Sequence, residues 1–250
     1  MSVLDIDILM SDYQENVMLA KKFIKDNYSI QTPGVLQFRE IDGEVVVDCD
    51  GEIICKNPGI DDLTNGKFRF GKVFRFSCGG SFCLTSLEGA PRECELFHCS
   101  NCENLTSLEG APVKCKEFVC IKCINLTSLE GGPRECELFH CSACVNLTSL
   151  EGGPVKCDTF DCSDCKKLKN LKGAPQECSI FNCMGCDNLI LLEGGPMKCD
   201  RFTCEYCNNL ASLEGGPVEY TEFRYSFCKK IMALEGIDII DDDDDDDDLY

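Results

Sequence analysis

The chain has 250 residues, 44% of them apolar, which is enough for a packed core in one or two globular domains or in a single elongated repeat domain. Its formal charge is -20, eight units of it from Asp241 to Asp248, and no Lys/Arg cluster breaks the acidity; this argues against nucleic acid and anionic membranes, whose phosphates need positive charge. No apolar run approaches the ~20 residues that span a bilayer, and Met1-Ser-Val-Leu-Asp-Ile-Asp7 is not a basic segment followed by an apolar one, so a reducing, intracellular compartment is expected.

In chain order, Ser11-x-x-Gln14 has the form of a capping box, and Tyr13, Val17, Ala20 and Ile24 follow at helical spacing to Asn27. This predicts a helix over about residues 12–26 that covers the open end of whatever follows. Val35–Ile41, Asp42-Gly43 and Glu44–Cys49 read as a β-hairpin, because Asp-Gly favours the tight turn between strands. Asp50-Gly51 leads into Glu52–Cys55, and Phe74–Cys78 opens a regular series.

From Leu84 a 21-residue unit, C-x-x-F-x-C-x-x-C-x-x-L-x-x-L-E-G-G-P, recurs with Ala sometimes in place of the second Gly. Its anchor pairs run from Leu84/Leu87 to Leu210/Leu213 and Ile231/Leu234. One unit of that length cannot bury its own apolar face, so the copies are expected to stack into a solenoid. In residues 94–112, Cys94, Phe97 and Cys99 are placed inward on a short strand and Leu105 and Leu108 form a second inward pair. Glu109-Gly-Ala-Pro112 makes the return corner. Such a coil has room for a strand and an extended return but not for a full outer helix.

The pattern Phe97-x-Cys99-x-x-Cys102-x-x-Leu105-Thr-x-x-Leu108 resembles the leucine-rich repeat in its cysteine-containing form. Asn104-Leu-Thr-Ser-Leu-Glu-Gly-Ala-Pro112 is similar to short repeats in proteins of bacteriophages, giant viruses and some bacteria, and Asp50–Cys55 through Phe70–Val73 resembles their entry coil. The resemblance covers roughly residues 43–238. It implies a leucine-rich-repeat solenoid of stacked short parallel β-strands with extended returns; the helical spacing adds an α-helical N-terminal cap over 1–42, and the Asp run a disordered acidic tail over 239–250. It also implies a surface for binding other proteins. The strand position usually held by Leu is Phe here, and the next inward position is Cys.

Twenty of the 23 cysteines lie in the repeat, in three columns. Cys99/Cys102, Cys120/Cys123 and Cys141/Cys144 follow the C-x2-C-x17-C-x2-C spacing of a zinc site. A second cause produces the same spacing: any inward position recurs once per coil, and free Cys packs as a small hydrophobe. The expectation is therefore a buried, reduced thiol ladder with no cofactor, in which the third column donates weakly to backbone carbonyls. A metal- or redox-active stack is the alternative.

The outward strand positions vary where the inward ones do not. Leu96, Glu117, Leu138, Thr159, Ile180 and Arg201 form one column, and His98, His140, Asp161, Thr203 and Arg224 belong to its neighbour. No Walker loop, G-x-S-x-G, H-E-x-x-H or dinucleotide fingerprint occurs. The expected function is non-catalytic binding of a protein partner on the concave strand face, as a viral or host-interaction factor. The rival is a structural, self-assembling or virion protein. Asp241–Asp248 offers a contact for a basic protein.

Overall fold

A computed structural model describes residues 3–31 and 34–235. It is a parallel β-solenoid of about nine turns with an N-terminal helix. The helix α1 spans Val3–Asn27, and β1 (Tyr28–Gln31) and β2 (Leu36–Ile41) follow it. Both strands pair antiparallel with one edge of the long β3 (Glu44–Cys55): β2 along residues 44–49 and β1 along 52–55. Nine strands then run parallel, one per coil: β3, β4 (Arg69–Ser77), β5 (Glu93–His98), β6 (Lys114–Val119), β7 (Glu135–His140), β8 (Lys156–Asp161), β9 (Glu177–Asn182), β10 (Lys198–Thr203) and β11 (Glu219–Arg224). A short helix, α2 (Lys229–Glu235), ends the described chain.

The register keeps like with like. Phe97 pairs with Phe118, Phe118 with Phe139 and Phe160 with Phe181, so each inward side chain meets its own equivalent on the next coil. From Phe76 to Phe202 the rings form a continuous stack, with centroids 5.2–5.6 Å apart and planes within 5–13° of parallel. At both ends the geometry changes to edge-on: Phe70 meets Phe76 at 62° and Phe223 meets Phe202 at 75°. Phe23 and Tyr28 continue the edge-on packing at the N-terminal end, where the Tyr28 hydroxyl donates to the Leu63 carbonyl at 2.8 Å.

Backbone ladders tie the coils at the strand exit and again at the return. Cys99 N–H donates to Val119 O and Asn101 N–H to Ile121 O, while Leu108 N–H donates to Glu130 O, all at 2.8 Å. The carbonyl between the two strand-exit acceptors, that of Cys120, accepts the Cys144 thiol at 3.1 Å. Two residues per coil adopt left-handed backbone. One column is glycine, as at Gly131 (φ 85), where a Cβ would come within 2.5 Å of Glu109 backbone atoms. The other tolerates Asn101, Lys122, Ala143 and Tyr206 at φ 56–58.

Three expectations need correction. α1 begins at Val3, so Ser11 lies inside the helix and not at its start. The residues before it, rich in Ile, Leu and Met, form helix readily, and no Gly or Pro stops them. Leu234 does not point inward: its segment closes into α2, Ile231 is buried and Leu234 is 71% exposed. Among the described residues no further strand pairs beyond β11, so that segment gains nothing from the extended ladder and satisfies its backbone locally. Finally, the first cysteine column is not uniformly buried, since Cys136 and Cys178 are partly exposed to a surface groove. The acidic stretch Asp241–Asp248 and the predicted tail over 239–250 lie outside the described residues.

Candidate functional site

All eleven candidate contact residues sit on the outward face of the parallel sheet, in two adjacent columns. The register aligns Leu96, Glu117, Leu138, Thr159, Ile180 and Arg201 in one line. His98, Val119, His140, Asp161, Asn182, Thr203 and Arg224 form the other. Alternation along each strand puts them there: Phe97 and Cys99 are sealed in the core, so His98 between them must face out. Leu96, Leu138 and Ile180 are each half-buried and lie two strands apart, so their spacing is ~10 Å.

The two histidines share a ten-residue sequence context but not an environment. His98 Nδ1 is 3.2 Å from the Ser77 hydroxyl, its ring lies against Gly79, and burial lowers its pKa below the ordinary imidazole value. His140 Nε2 contacts the Ser142 hydroxyl at 2.8 Å and the Asp161 carboxylate at 3.7 Å. Asp161 in turn accepts from Ser163 at 2.6 Å and from Asn182 at 3.0 Å. Serine and carboxylate meet the same ring nitrogen. A nucleophilic relay needs them on opposite nitrogens, so this cluster fixes side chains rather than activating Ser142. At the C-terminal end Glu222 bridges Arg201 (2.9 Å) and Arg224 (2.6 Å), and their guanidinium groups hold its carboxyl below the ordinary range, Arg224 most.

Residues further from the core were not singled out from sequence. The first positions of β5 to β11, with Lys72 opposite Glu93 within β4, alternate in charge along the sheet: Lys72, Glu93, Lys114, Glu135, Lys156, Glu177, Lys198 and Glu219. Lys114–Glu93, Lys156–Glu135 and Lys198–Glu219 are ion pairs at 3.2–3.3 Å. The signal was available, because the coils alternate Glu-Cys with Lys-Cys in a 42-residue double unit.

The zinc-like cysteines are held in another way. Cys99, Cys102, Cys120, Cys123, Cys141 and Cys144 are all 0% exposed. Each third-column thiol donates to the second-column carbonyl one coil earlier: Cys102 to Cys78 (3.3 Å), Cys123 to Cys99 (3.1 Å), and so on to Cys228 and Cys204 (3.1 Å). Burial and the contact with Cys144 shape the titration of Cys120, which is pushed up to about 12 against the lowering effect of that hydrogen bond. Among the described residues no three His, Cys, Asp or Glu side chains converge as a metal cage. No described helix is long and apolar enough to cross a membrane. Comparison of this chain with protein-family models, with curated proteins and with solved structures finds no match.

Proposed function

We propose that the chain is a non-catalytic interaction scaffold of the leucine-rich-repeat kind that binds a protein partner on the outward strand face. The observation that carries this reading is the division of labour between columns. Phe, Cys and Leu are nearly fixed inside, while the face one residue away carries Leu, Ile, His, Asp, Glu, Thr and Arg in register. A scaffold that only had to stack would gain nothing from the half-buried line of Leu96, Leu138 and Ile180. The partner this face fits presents apolar side chains ~10 Å apart, matching the two-strand spacing, with polar groups beside them for His140, Asp161 and Arg201.

The test is capture with full-length protein from its native source, comparing wild type with Leu138→Asp and Arg201→Glu on the face and Glu130→Lys on the return. A partner retained by wild type and by the return variant but lost from both face variants supports the proposal. A partner indifferent to the face variants overturns it. A second reading, end-to-end assembly, is favoured by the last coil, where Val218, Tyr220 and Phe227 are 55–69% exposed beside β11. It predicts a sedimentation coefficient that rises with concentration and stays constant in Tyr220→Asp.

A further inference from the structure

The first cysteine column differs from the other two in three ways, and together these give it a chemistry of its own. First, its thiols are grouped in twos. Cys94 donates to Cys115 at 3.5 Å, Cys136 to Cys157 at 3.6 Å and Cys178 to Cys199 at 3.6 Å. Among the described residues no such contact joins Cys115 to Cys136 or Cys157 to Cys178. Second, each acceptor thiol is fixed by its own hydrogen bond to a carbonyl two residues on, at 2.9–3.0 Å: Cys115 to Glu117, Cys157 to Thr159 and Cys199 to Arg201. Third, five of its six thiols border solvent. Cys94 and Cys115 line a groove of about 1000 Å³, and Cys136, Cys157 and Cys178 line another of about 670 Å³. The second and third columns are 0% exposed.

The sequence repeats the same grouping. The column holds an even number of thiols and is closed at each end by another residue type: Val73 stands one period before Cys94, and Tyr220 one period after Cys199. The second and third columns hold seven cysteines each, an odd number that does not divide into pairs along the column.

We propose that Cys94/Cys115, Cys136/Cys157 and Cys178/Cys199 are three dithiol sites that oxidise reversibly to disulfides within each double unit. Each pair occupies directly opposed positions on adjacent parallel strands. Neighbouring strands place Cα atoms ~4.8 Å apart, inside the ~4.4–6.8 Å span that a disulfide bridges, so side-chain rotation alone can close the bond. The oxidant is a low-molecular-weight disulfide. The thiolate of the acceptor cysteine attacks one of its sulfurs, forming a mixed disulfide and releasing one small thiolate, which takes up a proton. The donor cysteine, deprotonated, then attacks the protein sulfur of the mixed disulfide and releases the second small thiol. Two protein thiols and one small disulfide thereby become one protein disulfide and two small thiols. The roles follow the hydrogen bonds: the contact with Cys178 lowers the pKa of Cys199, whereas donating raises those of Cys94, Cys136 and Cys178.

Full-length reduced protein is incubated with oxidised glutathione, alkylated while native, and peptide-mapped with circular dichroism recorded throughout. The expected result is disulfides inside the three pairs, with the second and third columns alkylated only after denaturation. Cys136→Ser is expected to trap Cys157 as a stable glutathione adduct while the other two pairs still close, and Cys178→Ser to trap Cys199 in the same way. Bridges between Cys115 and Cys136 or between Cys157 and Cys178, lasting adducts on wild-type Cys136, or prior oxidation of the sealed columns would overturn the proposal.

Discussion

Phe139 shows most directly what an inward position is worth. It is fully buried and stacks on Phe118 at 5.2 Å and on Phe160 at 5.3 Å, so truncation removes two ring contacts and leaves a cavity that stacked coils cannot easily close. Phe139→Ala is expected to cost about 3–5 kcal/mol in urea unfolding, and a loss under ~1 kcal/mol would place the ring outside the core. His98 makes a pH prediction. Burial lowers its pKa in the folded chain, so between that value and the unfolded ~6.5 the unfolded chain binds more protons. The His98 contribution is therefore fully favourable above pH ~6.5 and declines as the pH falls below it. Wild type should lose more stability than His98→Gln between about pH 7.5 and pH 5; equal losses would refute the assignment. At this scale the sequence was a good guide wherever a column had neighbours on both sides, and it failed at Leu234, whose missing neighbour no periodicity records.

Among the elements, the third cysteine column supplies one weak donor to a backbone carbonyl at each strand exit. The Cys120 carbonyl lies between the two ladder acceptors of its strand exit and receives the Cys144 thiol. Cys144→Ala leaves that buried acceptor unmet and is expected to cost about 1–3 kcal/mol, while Cys144→Ser, which keeps a donor, should lose less. If thermal melts rank the two in the opposite order, the hydrogen bond is not what the position requires. The N-terminal cap was only partly legible. The apolar stripe Tyr13, Val17, Ala20 and Ile24 identified the helix and its buried face, and Asp42-Gly43 (φ 54 and 81) identified the hairpin. β1 was missed because four residues, Tyr28–Gln31, carry too little pattern. They become a strand by pairing with Glu52–Cys55 and covering an edge of β3 that would otherwise be open.

For the whole molecule, the working unit is two coils rather than one. Charge at the strand start, Leu or Ile on the face and the grouping of thiols all alternate with a 42-residue period. Deleting residues 133–174, one double unit, keeps the charge alternation and the inward Phe, Cys and Leu in register across the junction and should leave a cooperative solenoid with a smaller denaturant slope. Deleting residues 112–132, a single coil, sets Glu93 opposite Glu135. It should therefore melt below the longer deletion despite being the larger protein, and the reverse order in calorimetry would show that the single coil is the unit.

The sequence by itself determined the solenoid, because a fixed period puts identical residues in register and lets one inward choice serve every coil. It also determined which residues face outward, since strand alternation leaves no other place for His98 or Leu138. Tertiary structure alone decided what the ends do, because the first and last coils lack the neighbour that the period assumes. It also separated the three cysteine columns. Spacing makes them equivalent, whereas hydrogen bonding and access to solvent leave two as sealed packing and set the third in pairs beside a groove.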